Sequence, residues 1–130
     1  MEYYLKTTEE MGRGLYALYD LPKGRLLFTA ELLVLSEKDT TTVNETDLKH
    51  YTFKYNDKQD CLVLGDGEIF NHGACPNIGY LIKEYDNRKA MFFYTLSDIK
   101  QNEQLTIDYN ADTRVAIEDY KVNLFETLRA

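Results

Sequence analysis

Turn-forming residues recur along this chain at intervals too short for long helices. Gly12-Arg13-Gly14, Pro22-Lys23-Gly24, Gly65-Asp66-Gly67, Asp86-Asn87-Arg88-Lys89 and Lys100-Gln101-Asn102-Glu103 punctuate runs rich in Leu, Ile, Val, Phe and Tyr. Glycine, proline, asparagine and aspartate at such breaks favour tight reversals, and the short apolar runs between them suit strands. Residues 3–7, 15–19, 25–35, 61–64, 78–85, 90–96 and 104–109 are therefore expected as strands, with 78–85 and 90–96 forming a hairpin. The polar run 36–45 has no clear period and reads as a loop or insert, whereas 47–53 suits a short helix. Leu18-Tyr19-Asp20-Leu21-Pro22-Lys23-Gly24 and Leu96-Ser97-Asp98-Ile99-Lys100-Gln101-Asn102 share the order apolar, any, Asp, apolar, any, any, turn residue. Two such turns are too short for a repeat architecture. Near the end the period changes: Ile117, Tyr120, Leu124 and Leu128, with Phe125 beside them, predict an amphipathic helix over 113–129, capped by Asp112 or Thr113.

At 130 residues and 44% hydrophobic content the chain has the size of one domain. Fifteen basic against 22 acidic residues give a net charge of −7. That balance disfavours nucleic acid or an anionic membrane as a partner and favours a basic one. Two cysteines, Cys61 and Cys75, are too few for a disulfide scaffold, and the N-terminus has no apolar signal core, so a reducing, cytoplasmic setting is expected. The most apolar stretch, 26–35, falls short of the roughly 18 residues a membrane span needs. Eleven tyrosines and no tryptophan make an unusual aromatic set, since each buried phenol needs a hydrogen-bond partner.

Common catalytic signatures are absent: there is no phosphate-cradling loop with lysine, no Gly-x-Ser-x-Gly elbow and no His-Glu-x-x-His. His50, His72 and the two cysteines fit no zinc-finger spacing, so no metal is expected. Three segments remain. Gly12-Arg13-Gly14 permits a tight turn or a close backbone approach to a ligand. Phe70-Asn71-His72-Gly73-Ala74-Cys75-Pro76-Asn77 packs polar and turn-forming residues behind an apolar approach, and Glu103-Gln104-Leu105-Thr106-Ile107-Asp108-Tyr109 follows as the last strand. Taken singly they read as a turn, a polar loop and a terminal strand.

Together, in this order, the three segments resemble the SET-domain protein lysine methyltransferases, which show Gly-x-Gly, then Asn-His-Ser-Cys-x-Pro-Asn, then Gly-Glu-Glu-Leu-Thr-Phe-Asp-Tyr. The likeness runs from about residue 2 to 110, and its compactness is similar to that of stand-alone viral members. The resemblance implies a mostly β fold with short helices: several small curved sheets of the β-clip type, the two later motifs meeting in a pseudoknot, and a C-terminal helix. On that reading residues 1–110 are the SET domain and 111–130 a helical flank closing the site. It also implies S-adenosylmethionine as cofactor, with Gly12, Arg13 and Gly14 along its methionine part, Asn71 at its amino acid end and the His72 backbone at its adenine. Tyr109 matches the family's catalytic tyrosine at the methyl-transfer pore. Tyr51, Tyr55 and Tyr80 are candidates for the wall of a lysine channel, each with the alternative of a core or rim position. Ile107 takes the place of an aromatic residue that influences how many methyl groups are added.

The implied chemistry is affordable. A lysine of pKa about 10.4 must lose its proton at a cost of roughly 4–5 kcal/mol at pH 7, and an apolar channel can depress that pKa by about 3–5 units. The cofactor's positive charge acts in the same direction, so no dedicated base is required, and alignment of nitrogen, methyl and sulfur can contribute roughly 7–11 kcal/mol more. The expected partner is a lysine-containing, basic protein or peptide, met by a monomer or homodimer in the cytoplasm, or in the nucleus of a eukaryotic host. Gly73 and Ala74 depart from the family's Ser and Cys, and no cysteine follows Tyr109 for a zinc-binding extension. A SET-like module that binds peptide or cofactor without catalysis is the alternative.

Overall fold

The computed structural model describes residues 2–10 and 12–109, so the expected helix over 113–129 and the flank 111–130 lie outside the described residues. Nine strands form two sheets. The first has the order β1-β2-β9-β6, from β1 (Tyr3–Thr8), β2 (Gly12–Ala17), β9 (Gln104–Ile107) and β6 (Asn71–His72). The second has the order β4-β5-β3-β8-β7, from β3 (Leu26–Val34), β4 (Thr52–Lys54), β5 (Asp60–Val63), β7 (Ile78–Tyr85) and β8 (Arg88–Thr95). Short helical turns fill the rest, so the expected mostly β architecture of small sheets is present.

Local chemistry explains the elements. At the β7–β8 turn Asp86 and Asn87 take φ of 48° and 60°, the left-handed pair that a two-residue hairpin turn with native twist demands. Ala90 to Thr95 are all buried in the middle of the second sheet. Their alternate side chains feed two separate cores, with Met91 and Phe93 on one face and Phe92 and Tyr94 on the other. A strand covered on both faces need not alternate apolar with polar residues. Phe28, Phe70 and Phe93 knit the main core, with ring centroids 4.8 to 5.8 Å apart.

The two similar turns pair with each other. Leu21 and Ile99 exchange both backbone hydrogen bonds at 2.8 Å. Asp20 Oδ1 accepts from Gln101 N–H at 2.8 Å, while Asp98 Oδ1 accepts from Lys23 N–H at 2.9 Å. Each aspartate therefore caps the turn of the other segment, and the turn residues Gly24 and Asn102 both adopt positive φ, 82° and 69°. The shared order of residues encodes a reciprocal clasp that ties the chain before β3 to the chain before β9.

Three expectations need correction. Residues 36–45 are largely helical: α1 spans Glu37–Val43, with Ser36 Oγ accepting from Asp39 N–H at 3.0 Å as N-cap. The cap and the burial of Thr40 outweigh the missing apolar period. The helix expected over 47–53 is a 3-10 helix over Asp47–Tyr51 that passes directly into β4. Gly12-Arg13-Gly14 lies not in a turn but in the opening half of β2, where Arg13 faces Thr7 across the ladder.

Gly67, between β5 and β6, is held by its surroundings: a Cβ there would stand 2.6 Å from Val63 Cγ1 and 2.9 Å from Phe93 Cζ. Gly67→Ala is expected to destabilise the fold by about 1–3 kcal/mol through overpacking, read as a lower midpoint in urea unfolding. An unchanged midpoint would mean this turn is not packed against the core.

Candidate active site

The three segments that stand far apart in the sequence converge on the first sheet. Asn71 and His72 run parallel to β9, paired with Thr106 and Ile107, and β9 also pairs with β2, Leu15 opposite Leu105 and Tyr16 opposite Gln104. Gly73 N–H donates to Ile107 C=O at 3.0 Å. In a parallel ladder that places Ile107 between residues 71 and 73, so the N–H and C=O of His72 turn to the edge not taken by β9. A buried amide completes the join. Asn77 Nδ2 donates to Gln104 C=O at 2.8 Å and to Glu103 Oε2 at 3.0 Å, and Asn77 Oδ1 accepts from Thr106 N–H at 2.9 Å. Its side chain stands in for a peptide group of a further strand.

Next to this join lies a cavity of about 510 Å³, whose walls include Arg13, Asn71, Tyr109 and Tyr51. Asn71 Nδ2 donates to Arg13 C=O at 3.0 Å, tying β6 to β2. A Cβ at Gly14 would stand only 3.0 Å from Asn71 Nδ2 and 3.1 Å from Gln104 Nε2, and that Gln104 nitrogen is buried without a hydrogen-bond partner. Arg13 and Asn71 thus bring polar groups to the cavity wall, which suit the polar end of a ligand such as S-adenosylmethionine, while Gly14 and Gln104 pack beside them without lining it.

At the other side of β6, Tyr109 N–H donates to His72 Nδ1 at 3.1 Å and the two rings lie 5.1 Å apart. The Tyr109 hydroxyl donates to Phe70 C=O at 2.7 Å. Burial pushes the Tyr109 phenol above the ordinary tyrosine range; a hydrogen bond from the His72 backbone to the phenol oxygen opposes this and the charge of Glu68 adds to it. The group is thus a neutral O–H at physiological pH, held at a carbonyl on the cavity wall.

The expected site residues separate into those the structure gathers and those it does not. Arg13, Asn71, Tyr51 and Tyr109 share the cavity, with Gly12, Gly14 and His72 beside it on β2 and β6. Tyr80 is buried behind the cavity wall, edge-on to Phe53, and its hydroxyl donates to Asp108 C=O at 2.6 Å. It fixes the backbone one residue before Tyr109. Ile107 is fully buried in the core. Tyr55 sits elsewhere: its hydroxyl bonds Glu84, and Lys89 lies over its ring. The β4–β5 hairpin carries Tyr55 toward β7 and β8, not toward Asn71.

Sequence reasoning gave no site role to Phe70, Asn77, Glu68, Lys49 or His50. Phe70 contributes a carbonyl, which no side-chain pattern reveals. Glu68 is one acid among 22. Lys49 and His50 line the cavity only because the segment before β4 winds as a 3-10 helix. Among the described residues no cluster of three or more His, Cys, Asp or Glu could hold a metal ion, and no helix is long and apolar enough to cross a membrane.

A family model described as the SET domain matches residues 12–110. The chain belongs to the SET-domain family. That family comprises protein-lysine N-methyltransferases, and its members use S-adenosylmethionine. The chain is 32% identical over 106 residues to the histone-lysine N-methyltransferase of Schizosaccharomyces pombe specific for H3 lysine 37, covering 81% of this chain and 71% of that protein. It is 29% identical over 118 residues to the histone-lysine N-methyltransferase trithorax of Drosophila virilis, covering 85% of this chain but 3% of the relative. In fold it is similar to a candidate histone methyltransferase of Plasmodium falciparum, with a TM-score of 0.68 at 20% identity, covering 85% of this chain and 95% of that one.

Tyr80→Phe is expected to cost about 1 kcal/mol of stability by removing the hydrogen bond to Asp108, measured as a lower unfolding midpoint. A midpoint equal to that of the parent protein would show that this bond does not hold the chain entering the site.

Proposed function

We propose that this SET-domain chain transfers a methyl group from S-adenosylmethionine to the side-chain amine of a lysine in a basic protein of histone type. The observation that carries the reading is the convergence, beside one cavity, of the Arg13 carbonyl with Asn71, of His72 with its outward-turned backbone, and of Tyr109 with its hydroxyl on the Phe70 carbonyl. When bound, S-adenosylmethionine supplies a methyl group made electrophilic by a positively charged sulfur. The residues of the chain bind and align. Gly12, Arg13 and Gly14 take the methionine part, Asn71 the amino acid end and the His72 backbone the adenine. Tyr109 and the Phe70 carbonyl orient the substrate nitrogen through O–H and weak C–H···O contacts, and Tyr51 forms the outer wall of the lysine channel.

Histone H3 is named for the Schizosaccharomyces pombe relative, and a lysine-rich tail suits a chain of net charge −7. Such a substrate places the reaction in the nucleus, or in the cytoplasm of a host without one. The departures at Gly73 and Ile107 support no loss of activity. A Cβ at Gly73 would stand 2.5 Å from Thr106 Oγ1, so the missing side chain makes room for β9, and Ile107 packs wholly into the core.

The test is radiolabelled methyl transfer to histone H3, beside a calorimetric titration with S-adenosylmethionine. The parent protein is expected to bind cofactor and label lysine. Tyr109→Phe is expected to lose transfer by about 10²-fold while keeping cofactor affinity. No binding at millimolar cofactor would overturn the reading, and cofactor binding without transfer to any protein of a lysate would favour a non-catalytic module.

A further inference from the structure

Glu68 is the sole acidic residue among the described residues lining the cavity; the other charged groups there are Arg13 and Lys49, with titratable His50, Tyr51 and Tyr109. It ends the 3-10 turn Asp66–Glu68, two residues before the carbonyl that holds Tyr109. One carboxylate oxygen, Oε1, accepts from Val63 N–H at 2.9 Å, which fixes the side chain against β5. The turn cannot shift easily, because Gly67 before it has no room for a Cβ. The carboxylate is thus a half-buried, immobilised negative charge on the wall of a cavity whose fixed charges are otherwise positive.

A lysine reaching Tyr109 arrives as an ammonium and must leave as a neutral amine before it can attack a methyl group. Arg13 and Lys49 are basic side chains of the same sign as that ammonium and repel it. His72 has Nδ1 engaged by Tyr109 N–H, and His50 sits exposed on its 3-10 helix. Tyr109 is a neutral donor already bonded to Phe70. Asp66, on the same turn as Glu68, accepts from the Tyr3 hydroxyl at 2.7 Å and is turned to β1.

We propose that Glu68 is the proton acceptor for the substrate lysine of this SET-domain site. The lysine N–H bond breaks, its electron pair stays on nitrogen, and the proton forms an O–H bond on the Glu68 carboxylate. Glu68 later returns the proton to water through the cavity mouth. The inference rests on the methyltransferase reading above. Burial supports it by pushing the Glu68 carboxyl up to about 7, against the opposing hydrogen bond from Val63, which matches the acceptor to neutral pH. The nearby Cys61 thiol, pushed up to about 12 mainly by burial, stays neutral and does not compete.

The experiment compares the parent protein with Glu68→Gln, which keeps an oxygen for Val63 N–H but accepts no proton. Transfer to an H3 peptide is measured from pH 5.5 to 10 at saturating peptide and cofactor, with cofactor affinity as the control. The parent rate is expected to rise through an ionisation near 7. The variant is expected to be about 10²-fold slower at pH 7, to bind cofactor within twofold of the parent, and to recover as pH approaches the lysine's own ionisation near 10. A glutamate carboxyl titrating near 7 is expected in the carbon-13 NMR spectrum of the cofactor-free parent, and its absence in the variant assigns it. A variant with the parent rate and profile overturns the proposal, as does a uniform loss with an unchanged profile, which marks a structural role. If the variant does not fold, a parent profile or carboxyl titration without an ionisation near 7 overturns it. A parent protein that neither binds cofactor nor transfers methyl fails at the underlying reading instead.

Discussion

The site depends on how strand β9 is held. It pairs with both β2 and β6, and the buried Asn77 amide takes up Gln104 C=O and Thr106 N–H, which the alternation of the strand turns to the opposite edge. Each contact brings in a segment remote in sequence. β2 carries the glycine pair, β6 carries Asn71 and His72, and the exit of β9 leads to Tyr109. An unpaired polar group at such a buried join would cost about 1–3 kcal/mol. The satisfied amide therefore locks the register of β9, and with it the cavity wall.

Hydroxyls reinforce the same design. Among the described residues, tyrosine hydroxyls donate to groups distant in the chain: Tyr3 to Asp66, Tyr4 to Asn102, Tyr55 to Glu84, Tyr80 to Asp108 and Tyr109 to Phe70. In a domain of small sheets, with little core per sheet, an apolar ring that ends in a hydrogen bond joins elements that packing alone would hold loosely. Part of the tyrosine excess therefore serves as struts. Tyr80 fixes the chain entering Tyr109, and Tyr109 is a strut on the cavity wall, which links the rigidity of the fold to the position of the Tyr109 hydroxyl.

Much of this was legible before any coordinates. The turn signals placed most strands, and the Asp86-Asn87 pair marked its hairpin because two left-handed residues are needed there and few residue types supply them. The three motifs meet beside one cavity because their residue types answer backbone demands: room at Gly14, an amide at Asn71, a partner carbonyl at Tyr109. Helix α1 was hidden because a Ser36 cap and threonine hydroxyls hold it, not an apolar stripe. The parallel join of β6 with β9 could not be read from periodicity, since two residues carry no period and the chain visits the other sheet between them. Glu68 was hidden because burial, and not residue type, sets it apart from the other acids. Tyr55 and Tyr80 looked alike in sequence, and only the direction of their hairpins separates them.

Asn77 does not line the cavity, so its replacement separates the assembly of the site from its chemistry. Calorimetric titration of Asn77→Ala with S-adenosylmethionine, under conditions where the variant remains folded by circular dichroism, tests whether the join of β6 with β9 builds the binding site. The account predicts at least a tenfold loss of affinity in this variant. Affinity equal to that of the parent protein would contradict it.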